Sequence, residues 1–210
     1  MSKLFVDEMR GNTSTTISIP SGQTLNVAGN LSSTAGTISG TPSFPDGAKV
    51  NTIKHTGGTT AMTIDSTGRV LTPARPLLYA HGNSVRIRVS DGYAVNTTHT
   101  LQWSEQIDVG NNFANNVFTC PIAGKYKVDV NVIAYGSNGG TCAVTVTQNS
   151  TQRTIFYLDV GTGGNWQGIG GSVIINAAVN DTIFSSVSYS ASGTQIHENS
   201  YRSMGIYLIG

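Results

Sequence analysis

The stretch VFTCPIAGKYKVDVNVIAY, residues 117–135, decides the fold. From Lys125 onward it alternates without a break. Tyr126, Val128, Val130, Val132 and Ala134 fall on one side, and Lys125, Lys127, Asp129 and Asn131 on the other. Successive side chains of a strand point to opposite faces, so this pattern predicts a half-buried β-strand. Outward from it the chain keeps the same habit. VRIRV (85–89) sets Val85, Ile87 and Val89 against Arg86 and Arg88, and LQWSEQI supplies Leu101, Trp103 and Ile107. TCAVTVTQ, RTIFYLDV, GSVIINAAV, DTIFSSVSYS and SMGIYLIG complete the set, and the apolar run GIYLIG is expected to be central and buried. No stretch sustains a helical period. Turn signals about every ten residues predict an all-β sandwich or jelly roll.

Composition narrows the class. Of 210 residues only 11% are charged, against about 25% in an ordinary soluble domain. Ser and Thr supply 48 residues, Asn 17 and Gly 25. With 38% hydrophobic residues and a net charge of +1, the chain is neither a coiled coil nor a high-charge disordered polymer. It has no Lys/Arg blocks, so no nucleic-acid partner is expected. Nor does any run reach the 18 or so apolar residues of a membrane span, so no membrane insertion is expected. MSKLFVDEMRGN lacks an apolar run of secretory length. That implies folding in a cytoplasm, whereas a surface rich in hydroxyls and amides suits the outside world. A particle assembled inside a bacterium and released by lysis satisfies both.

The chain divides near Pro73–Pro76. Residues 1–72 hold short runs, TTISIP, TLNVAG, VNTIKH, TAMTID and GRVLTP, around a near low-complexity stretch at 28–47. Pieces so lean cannot bury much alone, which predicts an anchor or stalk ordered by intertwining with identical copies. Residues 73–210 carry the longer strands of a head domain.

Catalytic chemistry is scarce. His55, His81, His99 and His197 are too far apart in sequence for local zinc spacing. The pair His197–Glu198 has no nucleophile-elbow Ser nearby and reads as a solvated loop pair. GTGGNWQGIGG (161–171) lacks the Lys-Ser/Thr of a phosphate loop and reads as a loop at the sandwich end. Asp181 reads as a turn residue, since one carboxylate is thin for calcium. A hairpin of 125–135 with 141–148 around GSNGG would place Cys142 opposite Tyr135 and leave Cys120 beyond its end. Two reduced, buried thiols are therefore expected. No enzyme activity, metal or cofactor is expected.

What remains is recognition. Trp166, His197, Tyr201 and Arg202 lie among Gly, Asn, Gln and Ser in the segments 161–168 and 190–202, a mixture suited to stacking on sugar rings and bonding hydroxyls. The alternative is that Trp166 and Tyr201 fill a subunit interface, where aromatics are also enriched.

Residues 117–132 resemble the "F, x, x, P, x, x, G, x, Y" stretch of the jelly-roll heads shared by complement's first component and tumour necrosis factor. Phe118, Pro121, Gly124 and Tyr126 fall on its spacing. GSVIINAAVNDTIFSSVS (171–188) is similar to that family's strand–turn–strand, with Asn180–Asp181 where the family has Gly-Asp. MGIYLIG resembles its last strand. The resemblance implies a ten-stranded jelly roll assembled as a compact homotrimer, with Phe118, Tyr126, Val128, Val130, Ile206 and Leu208 in the core or trimer contact. Residues 1–72 do not read as the family's collagen-like stalk, and no signal peptide is expected. Instead, LFVDEMRG, TISIPSGQTL and VNTIKHTGGTTAMTIDSTGRVLTPARP resemble amino-terminal portions of virion proteins of marine and cyanobacterial tailed phages. That second resemblance implies a structural virion protein located on the tail or capsid exterior. Such a trimeric fibre or appendage would anchor to other virion proteins through its amino-terminal region, including Leu4, Phe5 and Val6. Its head would attach to host surface, most plausibly polysaccharide. A capsid decoration protein with no host ligand and a polysaccharide-degrading tailspike are the alternatives.

Overall fold

The computed structural model describes residues 52–54, 57–58 and 60–209. The expected strands TTISIP and TLNVAG and the anchoring residues Leu4, Phe5 and Val6 lie outside the described residues. β1 (Thr52–Lys54), β2 (Thr60–Ile64) and β3 (Val70–Leu71) form a small antiparallel sheet. Asp65 holds the β2–β3 turn by accepting hydrogen bonds from Thr67 Oγ1 (2.7 Å) and the Arg69 amide (3.0 Å). Of the apolar side chains of this sheet, Ile53, Ile64, Val70 and Leu71 remain exposed and Met62 is half-buried.

The sandwich follows: β4 (Leu77–Gly82), β5 (Ile87–Arg88), β6 (His99–Thr100), β7 (Trp103–Val109), β8 (Phe113–Ala114) and β9 (Val117–Thr119). Then come β10 (Gly124–Gly136), β11 (Thr141–Gln148), β12 (Thr151–Asp159), β13 (Asn165–Ala177), β14 (Thr182–Tyr189), β15 (Gln195–Ile196) and β16 (Ser203–Leu208). One sheet runs β13–β10–β16–β4–β7, with β15 and β5 beside the far end of β10. The other runs β12–β11–β14–β9–β8, with β6 on β14. Every pairing is antiparallel, and neighbours come from distant parts of the chain, which is the jelly-roll arrangement.

The alternation read in β10 is the alternation observed: Tyr126, Val128, Val130, Val132 and Ala134 are buried. They pack with Leu78, Ala80, Met204 and Ile206 of their own sheet, and Phe118, Cys142, Val144, Val146, Ile183 and Val187 of the other. Two polar ties are met inside. Trp103 Nε1 donates to Ser185 Oγ across the layers (3.0 Å), and the Tyr126 hydroxyl donates to the Ile122 carbonyl (2.9 Å). β16 lies between β10 and β4, as its apolarity predicts. Phe118, Tyr126, Val128, Val130 and Ile206 are fully buried between the sheets of one chain, so they do not face another subunit; Leu208 is half-buried.

Four expectations need correction. β10 and β11 are not a hairpin: β10 pairs with β13, β15 and β16, and β11 with β12 and β14, because GSNGG carries the chain from one layer to the other. Cys120 and Cys142 are nonetheless free and buried. Ile107 is 47% exposed, because the register with β4 skips Gln106 and the bulge turns Ile107 to the outer face. VRIRV pairs only at Ile87–Arg88 and turns into a 3-10 turn at Val89, which is exposed. The Gly-rich stretch is a loop only to Gly164. From Asn165 it is β13, paired with β10 along its whole length.

Candidate binding site at the far end of the sandwich

Leu77, Leu208 and Tyr126 lie near one end of the first sheet, and Tyr135, Trp166 and Gln195 at the other. The registers place an aromatic cluster at that second end. Tyr135 on β10 is opposite Trp166 on β13, with ring centroids 5.0 Å apart. Trp166 then stacks at 4.6 Å and 42° on His197, and His197 at 4.0 Å and 34° on Tyr201. The result is a ladder of four rings. Trp166 is 43% and Tyr201 52% exposed, so the ladder is open to its surroundings. Gly164 permits it: its φ is +65°, and a Cβ there would meet the Tyr135 hydroxyl at 3.0 Å.

Charge is arranged beside the rings. The Arg86 guanidinium lies 5.6 Å from the centre of the Trp166 ring, within cation–π range. The same guanidinium forks onto Glu198, through Nη2 to Oε1 at 2.6 Å and through Nε to Oε2. Hydrogen bonding from Arg86 holds the Glu198 carboxyl down to about 2, and Glu198 in turn raises Arg86. The His197 Nδ1 stands 3.4 Å from Glu198 Oε2. Glu198 is thus part of an ion pair reaching across 112 residues, not the solvated loop pair expected of His197–Glu198. A polar cleft of about 530 Å³ opens next to this pair, between Arg86, Arg88, Asp91 and Glu198.

Trp166, His197 and Tyr201 are brought together; Arg202 is not with them. Its side chain is 1% exposed and lies beneath the surface, with the guanidinium 5.8 Å from the Trp103 ring. Nη2 donates to the carbonyls of Val85 and Gln102 (both 3.1 Å) and to Asn83 Oδ1 (3.3 Å). Nε and Nη1 have no hydrogen-bond partner, and burial pushes the group down to about 10. Arg202 is a structural residue, because the strand β16 that begins at Ser203 points it inward. Sequence reasoning missed Tyr135, Arg86 and Glu198 as members of the site. The alternation did set Arg86 and Tyr135 on the outer face, but their partners are supplied by non-local pairing.

Asp181 fills the role of a turn residue. It accepts from Gln148 Nε2 (2.7 Å), Asn149 Nδ2 (2.8 Å) and the Ala178 amide (2.9 Å), which lower its pKa. Among the described residues no three His, Cys, Asp or Glu side chains gather as a metal site.

The outer faces of the two sheets differ. That of β11 and β14 shows Thr141, Ala143, Thr145 and Ser188, with Tyr157 of β12 as its large exposed ring. That of the first sheet shows Leu77, Tyr79, Ile107, Tyr207 and Ile174, with Ile174 61% exposed, and between Ile174 and Tyr207 runs the charged face of β10, where Lys127 pairs with Asp129 at 3.0 Å. Gly205 lets the Tyr207 ring lie flat on this face, where a Cβ would meet the Tyr207 hydroxyl at 2.2 Å.

Strand order and core together define the class: an all-β jelly-roll sandwich. Among solved structures the chain is similar to the globular domain of zebrafish complement 1qA protein, at 12% identity and a TM-score of 0.45. That likeness covers 65% of this chain and 98% of the other. It is also similar to murine APRIL, at 11% identity and a TM-score of 0.48, covering 64% and 99% respectively. No protein-family profile and no curated protein sequence matches the chain.

Proposed function

We propose that this chain is a structural protein of a tailed-phage virion, a homotrimeric fibre or appendage whose jelly-roll head attaches to host-surface glycan. The carrying observation is an exposed ring ladder at one end of an outer face on which Ile107 and Ile174 stand exposed beside the Lys127–Asp129 pair. Exposed large apolar side chains in a mixed polar surrounding suit a contact surface. In the proposed trimer, Leu77, Tyr79, Ile107, Ile174 and Tyr207 face sister subunits. Residues 1–72 anchor to other virion proteins. Trp166, His197 and Tyr201 then stand at the end of the first sheet opposite Leu77. Their rings suit the C–H face of a pyranose, and three copies of a weak site gain avidity. The virion assignment is supported by the sequence resemblance of the amino-terminal third.

A second reading keeps the trimer but places Trp166 and Tyr201 in the subunit contact. It is favoured by Tyr201 bordering a groove with Asn131, Ile133, Gly168 and Gly170 on the same outer face. Native mass spectrometry with a host-cell binding assay separates the readings. The wild type should run at three times the 22.0 kDa chain mass, and Ile107→Lys with Ile174→Lys should give single chains. Trp166→Ala with Tyr201→Ala should keep the trimer and lose cell binding. Loss of the trimer in that variant would select the second reading, and a single-chain wild type would overturn both. Virion location is tested separately, by finding the chain in purified particles.

A further inference from the structure

We infer that the cleft beside the aromatic ladder selects an uncharged glycan, one presenting neighbouring hydroxyls, over acidic polysaccharide. The inference rests on the attachment reading above and adds the class of sugar. Its basis is the internal charge balance of the cleft. The wall holds two guanidinium groups and two carboxylates, and each cation is already engaged. Arg86 forks onto Glu198, and Arg88 Nε donates to Asp91 Oδ2 at 2.8 Å. Ser84, Val85 and Tyr93 complete the lining.

An acidic sugar finds no unpaired cation here. To reach Arg86 its carboxylate must displace Glu198 or lie against Glu198 and Asp91, where like charges repel. A neutral sugar meets no such obstacle. The Arg86 fork engages Nε and Nη2 and leaves Nη1 outside the pair, while the carboxylate oxygens of Glu198 keep lone pairs free to accept. Donor and acceptor therefore sit side by side, and each of two adjacent hydroxyls can both give and take a hydrogen bond. Trp166 stands next to the same wall, with the Arg86 guanidinium 5.6 Å over its ring, so a sugar in the cleft lies beside the exposed ladder. The Arg86–Glu198 pair thus does two jobs: it places the polar groups and it cancels the charge that would draw an anion.

The test is affinity electrophoresis of the full chain through gels carrying dextran, mannan or galactan, each paired with its carboxymethylated form at low salt. Retention by at least one neutral polysaccharide, at least about tenfold stronger than by its carboxymethylated partner, is expected. Glu198→Gln leaves one net positive charge in the cleft and should move the preference toward the carboxymethylated form. Stronger retention by the carboxymethylated polymers in the wild type would overturn the inference and leave the attachment reading intact. Retention by none of the six would overturn both. The wild-type comparison stands whether or not the variant folds, and a folded Glu198→Gln protein that keeps the neutral preference also counts against the inference.

Discussion

Arg202 offers the sharpest test of the division between structural and surface residues. Arg202→Ala removes two methylenes, about 1.6 kcal/mol of burial, from a side chain only 1% exposed. It also strips the donor from three acceptors, the Val85 and Gln102 carbonyls and Asn83 Oδ1. Bonds to a charged donor are worth about 1.5–3 kcal/mol each. Against this stands the relief of an unpaired buried charge. Burial pulls the group well below its ordinary value, to about 10, which corresponds to about 3 kcal/mol. Because Nη2 shares two hydrogens among three acceptors, the lower figure applies to each bond, and the net expectation is a loss of about 3 kcal/mol. Arg202→Met keeps most of the stem and removes the charge, so it should lose about half as much. Urea unfolding at one fixed protein concentration measures both, since any oligomer makes the midpoint concentration-dependent. An Ala variant within about 0.5 kcal/mol of wild type would refute the reasoning. So would a Met variant more stable than wild type, which would mean that desolvation of the charge outweighs its hydrogen bonds.

Three further outcomes follow from the same geometry. The Glu198 carboxyl sits at about 2 rather than its ordinary 4.5, so its pairing with Arg86 contributes fully above pH 4.5 and is lost as pH falls toward 2. Glu198→Gln should remove about 1–2 kcal/mol at neutral pH, after allowance for solvent screening, and flatten that part of an acid-denaturation curve. Burial raises Cys120 to about 11 and Cys142 to about 12. Neither thiol should react with iodoacetamide at pH 8 until the chain is unfolded, when mass spectrometry should find two adducts. Asn180 holds φ at +68°, so Asn180→Ala should cost about 1–2 kcal/mol in chemical denaturation, whereas Asn180→Gly should be close to neutral.

The layers and core were legible because alternation is a local signal. Residues 125–135 displayed their buried face in plain sequence, and the same holds for Met204 and Ile206. What escaped was register between distant segments. Ile107 follows Leu101 and Trp103 in a run that reads as one face, but a single skipped residue at Gln106 sends it outward. The supposed 125–148 hairpin failed for a related reason: a five-residue Gly-rich connection suits a hairpin and a layer crossing equally well. At the site, ring-bearing residues stood out by composition, yet neither the Arg86–Glu198 pair nor the Tyr135–Trp166 pair is visible without the fold. Arg202 was misjudged because its neighbour Tyr201 is exposed. One position later the side chain points inward.

The turns carry a lesson for comparison. Asn96, Asn111, Asn115, Asn116, Asn149, Asn180 and Asn199 all adopt positive φ, a conformation that other sequences usually assign to glycine. Two such chains could share every bend of their backbone and yet disagree at each of these sites. Profiles weighted on invariant glycines would score this chain poorly, whereas a search treating Asn and Gly as interchangeable at bends would bring distant kin closer.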